Sequence, residues 1–146
     1  MKKSSKSPFM AAPDYGKSLK GFSINLLSVN LPRALVFQSD VLAAEILHED
    51  EDLLIVHGYD SHWMMHADHT YDKHPMLDDA RSADRRGAGV ELRLHGCDPD
   101  IASKRALELG FQVLDGPRDQ PDHGLREAHI LDDDGYVWVP DVPVNV

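Results

Sequence analysis

Residues 90–110, which read VELRLHGCDPDIASKRALELG, contain the signals of a strand, a turn and a helix. Apolar and charged residues alternate from Val90 to Leu94, which is typical of a strand with one buried face. Asp98, followed by a proline, is a favourable N-cap, and Gly110 is a favourable stop. The stretch therefore predicts a strand followed by a helix from Ile101 to Leu109.

Three further strands are predicted downstream of this helix. They cover residues 111–114, 126–131 and 136–139, and each carries the apolar pattern of a buried or half-buried strand. The segments between them, Asp115-Gly116-Pro117 and Asp132 to Gly135, have the composition of turns. The second half of the chain is therefore predicted to follow the order βαβββ.

The first half repeats this order. Phe22 to Val29 reads as a strand, with Ile24 and Leu26 on one face, and Asn30 is a plausible N-cap for a helix from Pro32 to Leu42. Three strands follow, at residues 44–48, 53–57 and 63–68. The same element order at a spacing of about 65 residues indicates a duplicated module, and the predicted fold class is α+β.

These patterns divide the chain into four segments. Residues 1–21 read as a disordered basic tail, because they are rich in Lys, Ser, Pro and Gly and show no periodicity. The first module covers residues 22–71 and the second covers 89–146. Residues 72–88 read as a polar connector with one helical turn.

Composition and charge narrow the classes of function. The formal net charge is −10, although the first twenty residues carry five lysines and one aspartate. Such an acidic chain would repel the nucleic-acid backbone, so no nucleic-acid partner is expected. No apolar run approaches the length of about 20 residues that spans a bilayer, so no membrane partner is expected. The single cysteine, Cys97, suits a reducing cytoplasm.

Two parts of the sequence resemble the glyoxalase/bleomycin resistance protein/dioxygenase superfamily, also called vicinal oxygen chelate proteins. The first is Val29 to Leu42, which is similar to the opening strand and helix, with Asn30 in place of the usual Asp and Ala43 in place of the usual Gly. The second runs from Glu91 to Tyr136 and includes Gly124-Leu125-Arg126-Glu127 and Asp132-Asp133-Asp134-Gly135-Tyr136. This resemblance implies two βαβββ modules that form a concave cup of mixed sheet, with helices on the convex side.

Strand parity then predicts which side chains face the cup. Leu92 and Leu94 should contact the second helix, and Ile24 and Leu26 the first. Trp63 and Trp138 fall on the helix side, which favours a role in the core. The candidate ligand-pocket residues are Ser23, Asn25, Met64, His66, Glu91, Arg93, His95 and Val139.

The resemblance also implies which positions would hold a metal ion. Enzymes of the family hold one divalent ion with about four strand residues, and those positions correspond to Ser23, Met64 (or Met65), Glu91 and Val139. Only Glu91 is a good ligand for such an ion. We therefore expect no standard metal site and no resident cofactor.

A rearranged metal site is the alternative. Five histidines lie between His57 and His74, and His62, His66 and Glu91 are candidate ligands. Against this interpretation, ligands at alternate strand positions from His62 to His66 spread over about 13 Å, which is too wide for one ion. A polar, partly exposed strand explains the same histidines.

Three functions remain open from the sequence. The favoured hypothesis is a protein that binds a small molecule in the inter-module cup without the usual metal, as in the bleomycin-resistance branch. The alternative is a metal-dependent lyase or dioxygenase with a rearranged site, so whether the chain is an enzyme is left open. The third is a partner-binding module that uses the basic tail. The resemblance also implies a homodimer.

Overall fold

The structure is a computed structural model that describes residues 10–144. The first nine residues of the predicted basic tail and the last two residues of the second module lie outside the described residues. The element order is α1 (Ala12–Ser18), β1 (Asn25–Ser28), α2 (Leu31–Val36), β2 (Glu45–Glu49), β3 (Leu53–Gly58), β4 (Ser61–Ala67), α3 (Pro75–Ser82), β5 (Glu91–His95), α4 (Pro99–Glu108), β6 (Gln112–Gln120), β7 (Leu125–Leu131) and β8 (Val137–Pro143).

The capping residues identified in the sequence start the helix of each module. The Asp98 side chain accepts hydrogen bonds from the backbone N–H groups of Asp100 and Ile101 at the start of α4, and the Asn30 side chain accepts one from Arg33 at the start of α2. The first helix does not continue as a regular α-helix to Leu42, because Phe37–Val41 is π-helical. The wider turn places Phe37 and Val41 in the core.

Each module forms one four-stranded mixed sheet. The strand orders are β1-β4-β3-β2 and β5-β8-β7-β6, so the two sheets have the same topology. In each sheet the first strand pairs in parallel with the last one, and the other neighbours are antiparallel. The predicted α+β fold of two βαβββ modules is therefore confirmed.

One shared core joins the helix sides of both sheets. The ring centroids of Phe37 and Phe111 lie 4.9 Å apart, and those of Trp63 and Trp138 lie 5.7 Å apart. The Trp138 indole N–H donates to Asp132 at 2.9 Å, so its polar end is satisfied inside the core. Both tryptophans lie in the core, as predicted. The face of each sheet opposite this core is called the helix-free face below.

The connector covers part of the helix-free face of the first sheet. The ring of His66 on β4 lies 5.5 Å from that of Tyr71, which in turn lies 5.1 Å from that of His74. Arg86 donates to both carboxylate oxygens of Asp68, at 2.7 and 2.8 Å. This ion pair ties the end of the connector to the end of β4.

Residues 12–18 form a helix, which differs from the expectation of a disordered tail over residues 1–21. Pro13 lies in the first turn and Tyr15 is buried, with 8% of its surface exposed. Isolated helices of this length are not stable in water, so tertiary burial of Tyr15 holds α1. A single buried residue leaves no periodic pattern for sequence analysis to detect.

Two strands of the second module are longer than predicted. β6 continues through the Asp115-Gly116-Pro117 segment that was interpreted as a turn, with register shifts against β7 at that point. β8 extends past Pro140 to Pro143. The extension of β8 places Asp141 within that strand, beside the candidate functional residues of β5 and β7. Among the described residues, no helix is long and apolar enough to cross a membrane.

Candidate functional site

A cleft of about 540 Å³ lies between the two modules. It opens where β1, the edge strand of the first sheet, faces β5, the edge strand of the second. We call it the inter-module cleft. Its lining residues are Met10, Tyr15, Ser18, Leu19, Lys20, Phe22, Ser23, Ile24, Leu26, Asp60, Ser61, His62, Trp63, Glu91, Leu92, Arg93, Leu94 and Trp138.

The floor of the cleft is apolar and aromatic. Trp63 and Trp138 reach it from the core, and Leu26, Leu92 and Leu94 contribute aliphatic surface from the two edge strands. These side chains face the helix side of their sheets, so the floor is the outer limit of the shared core. A core that is open at its edge offers apolar contact to a small molecule without any rearrangement.

One wall of the cleft is the N-terminal arm, residues 10–22. Tyr15 and Leu19 of this arm line the cleft, as does Phe22, which is 86% exposed. Sequence reasoning did not identify the arm as part of the site. The signal that could have done so is the set of large apolar residues, Met10, Tyr15, Leu19 and Phe22, within residues 10–22.

The rim of the cleft is polar and carries both signs of charge. Asp60 belongs to the tight β3–β4 turn, in which Tyr59 and Asp60 both adopt positive φ. His62 follows on β4, while Glu91 and Arg93 project from β5. The cleft thus combines an apolar floor with ionisable groups at its mouth.

The structure brings only some of the predicted pocket residues to the cleft. Ser23, Glu91 and Arg93 line it, together with His62. The remaining predicted pocket residues do not line it; these are Asn25, Met64, His66, His95 and Val139. Val139 is fully buried, and burial lowers the pKa of His66.

Arg93 is the centre of an ionic cluster on the helix-free face of the second sheet. Its guanidinium lies 2.9 Å from Glu91, 3.4 Å from Glu127 and 3.0 Å from Asp141. Glu127 and Asp141 are 4% and 1% exposed, respectively. Burial alone would lower the pKa of Arg93, but hydrogen bonds and charge from Glu127 and Asp141 outweigh it and raise that pKa. Arg93 is therefore a permanent cation.

Three histidines complete the cluster, and the outermost is His123, whose Nδ1 lies 3.9 Å from Glu127 Oε1. His95 Nδ1 lies 2.8 Å from Asp141 Oδ1. His129 Nε2 lies 3.3 Å from Glu91 Oε1 and 3.7 Å from Glu127 Oε2. Glu127, His129 and Asp141 were not identified as site residues in the sequence. The signal was present on β7, where Glu127 and His129 alternate with the buried Ala128 and Ile130.

The positions at which the sequence resemblance implies a metal do not fit an ion. Ser23, Met64 and Val139 supply a hydroxyl, a thioether and an aliphatic group, of which none is a good ligand for a hard or borderline cation. The structure does not gather His62, His66 and Glu91 either. Within residues 10–144, the one group of three ligand side chains whose atoms lie within 4.8 Å of one another is Glu91, Glu127 and His129.

Comparisons with known proteins support the fold. A glyoxalase/bleomycin resistance protein/dioxygenase family enzyme from Burkholderia phytofirmans PsJN is 14% identical with a TM-score of 0.64, over 84% of this chain and 97% of that chain. Hypothetical protein SA1046 from S. aureus is 15% identical with a TM-score of 0.66, over 88% and 98% of the two chains.

A third similar structure is the fosfomycin resistance protein FosX from Mesorhizobium loti. It is 11% identical with a TM-score of 0.58, over 87% of this chain and 93% of that chain. No protein-family model and no curated protein sequence matches the chain. The structural likeness confirms that the chain has the fold of the glyoxalase/bleomycin resistance/dioxygenase proteins.

Proposed function

We propose that this protein binds a small organic molecule in the inter-module cleft. The observation that carries the proposal is the cleft itself, which joins an aromatic floor to an ionisable rim. Its volume of about 540 Å³ falls within the range of about 300–1,000 Å³ that small-molecule sites occupy. The ligand that fits this lining has an apolar body of one or two rings and a polar group that reaches the rim.

Recognition in this proposal depends on side chains rather than on a standard metal site. Three of the four standard positions carry no good ligand, so the apolar floor and the polar rim supply the contacts. The rim discriminates between ligands through hydrogen bonds to Ser23 and His62, which line the cleft outside the Arg93 cluster. Binding is the activity proposed, and it is the hypothesis that the sequence favoured.

Tryptophan fluorescence tests this proposal directly. Both tryptophans of the chain line the cleft, so an aromatic probe such as 8-anilinonaphthalene-1-sulfonate should quench their emission when it binds. Ser23→Phe should fill the mouth of the cleft and weaken probe binding at least roughly tenfold, which corresponds to a loss of about 1.4 kcal/mol of binding free energy. Leu107→Phe, at an exposed position on α4, is the control and should bind normally.

Two outcomes would count against cleft binding. Either the probe and a panel of small aromatic compounds leave the tryptophan emission and the melting temperature unchanged, or Ser23→Phe binds as well as the unmodified chain. A ligand that binds the folded state must raise the melting temperature by mass action.

The proposal also includes a role in antibiotic resistance, a homodimeric assembly and a cytoplasmic location. The fold similarity to a fosfomycin resistance protein supports only the first. The test is whether expression of the chain raises the inhibitory concentration of bleomycin or fosfomycin for a sensitive bacterium. Light scattering tests the second, because a homodimer would have twice the chain mass of 16.3 kDa. Cell fractionation tests the third.

A further inference from the structure

We propose that Glu91, Glu127 and His129 form a binding site for a divalent transition-metal ion on the helix-free face of the second sheet. Only Glu91 belongs to the positions where the family resemblance places a metal, and the other two ligands come from β7. The inference goes beyond the proposed function, since binding in the cleft does not require this ion.

The geometry of the three side chains fits a small cation. His129 Nε2 lies 3.3 Å from Glu91 Oε1 and 3.7 Å from Glu127 Oε2. Ligands about 2.1 Å from a tetrahedral zinc ion are about 3.4 Å apart, so both separations lie within about 0.3 Å of an edge of that tetrahedron. All three ligand atoms lie within 4.8 Å of one another. Imidazole nitrogen and carboxylate oxygen are also ligand types that zinc accepts.

The backbone fixes these positions. Glu127 and His129 are two residues apart on β7 and therefore project from the same face of the sheet. Glu91 projects from β5, and β8 lies between the two strands. The ligands therefore come from two strands of one sheet that are separated by a single strand, and they need only side-chain rotations to close on an ion.

The charge of the cluster independently favours a cation. Glu91, Glu127 and Asp141 provide three carboxylates, and Arg93 is the single arginine paired with them. Two of these carboxylates are almost completely buried, and a buried carboxylate is costly unless a positive charge compensates it. A divalent ion would neutralise the excess negative charge.

Arg93 competes with the ion for the same oxygens. Its Nη1 lies 2.9 Å from Glu91 Oε1 and 3.4 Å from Glu127 Oε2, which are also the oxygens nearest to His129. Metal binding would leave Arg93 with Asp141, its contact through Nη2 at 3.0 Å. Removing the guanidinium should therefore strengthen metal binding, whereas removing a true ligand should weaken it.

Titration of the full chain with zinc, measured by calorimetry, tests the proposal. The unmodified chain should bind one zinc per chain, and His129→Ala and Glu91→Gln should each weaken binding at least tenfold. Arg93→Met should tighten binding by a comparable factor. His66→Ala is the control and should bind as the unmodified chain does. The rings of His57 and His62 lie 4.7 Å apart, so this pair is an alternative place for zinc to bind. His62→Ala removes that alternative and should bind zinc as the unmodified chain does.

The proposal is overturned if neither the unmodified chain nor Arg93→Met binds zinc stoichiometrically. It is also overturned if His129→Ala binds normally, if Arg93→Met binds more weakly, or if His62→Ala is the variant that loses the ion. Should Arg93→Met fail to fold, His129→Ala and Glu91→Gln still decide the question. Probe binding in the cleft, measured with a chelator present, reports on the proposed function separately.

Discussion

Ala43 shows the cost of one departure from the family pattern at the residue scale. The resemblance places a glycine at this position, and Ala43 adopts a φ of 57° in the structure. A left-handed conformation costs a residue with a Cβ about 1–2 kcal/mol, while glycine costs about 0.5–1 kcal/mol of chain entropy. Ala43 is exposed, so its methyl group contributes little packing.

We therefore predict that Ala43→Gly raises the free energy of unfolding by about 0.5–1 kcal/mol. Urea denaturation of the variant and the unmodified chain measures the difference. Ala44→Gly is the matched control: the Ala44 side chain is buried in the core, so this neighbouring substitution should destabilise the chain. A loss of stability in Ala43→Gly would contradict the argument.

Asp132 organises the turn between β7 and β8. One carboxylate oxygen accepts from the backbone N–H groups of Asp134, Gly135 and Tyr136, and the other accepts from the indole N–H of Trp138. Asn at this position would direct its NH₂ group at the indole N–H. We predict that Asp132→Asn lowers the free energy of unfolding by about 1–3 kcal/mol at pH 7, the cost of one unsatisfied buried donor.

The same residue predicts a pH dependence. Burial raises the pKa of Asp132 to about 6, above its ordinary value of 3.8. Between these values the folded state holds a proton that the unfolded state releases, so the contribution of Asp132 to stability is full below pH 3.8 and is lost as the pH rises through 6. Urea midpoints from pH 4 to 7 should show this slope, and Asp132→Asn should lack it. Parallel profiles would contradict the prediction.

Local sequence signals predicted most elements but not their partners. Caps at Asn30 and Asp98, the stop at Gly110 and strand alternation are properties of neighbouring residues, and those elements formed where expected. The arm helix and the full length of β6 depend on tertiary contacts, so no local pattern revealed them. Likewise, parity identified Glu91 and Arg93 as lining residues, but their partners on β7 and β8 depend on sheet register.

At the scale of the element, one largely buried ion pair helps to anchor the connector. Arg86 and Asp68 form two hydrogen bonds, and their side chains are only 7% and 15% exposed. Removing one partner leaves the other charge buried, which costs about 3–5 kcal/mol. We predict a loss of this size for Arg86→Met in urea denaturation. Arg85→Met, at the exposed neighbouring position, should change stability by less than about 0.5 kcal/mol.

At the scale of the whole molecule, the shared core couples the two modules. Phe37 of the first module contacts Phe111 and Trp138 of the second, with ring centroids 4.9 and 6.2 Å apart. Neither sheet can therefore lose its helix-side packing without exposing the other. This is also why the inter-module cleft has a preformed floor, since the edge of that core provides it.

The last prediction is that the chain unfolds in one cooperative transition. Trp138→Phe leaves Trp63 as a reporter of the first module, and Trp63→Phe leaves Trp138 as a reporter of the second. For each variant, the fluorescence midpoint in urea should coincide with the midpoint from circular dichroism.

Phe37→Ala, which removes a fully buried ring, should lower the free energy of unfolding by about 3–5 kcal/mol while keeping a single transition. If the modules were independent, Phe37→Ala would lower the midpoint reported by Trp63 and leave that reported by Trp138 unchanged. Such a separation would show that the aromatic contacts between the modules contribute little, and that the cleft floor can open without unfolding the second sheet.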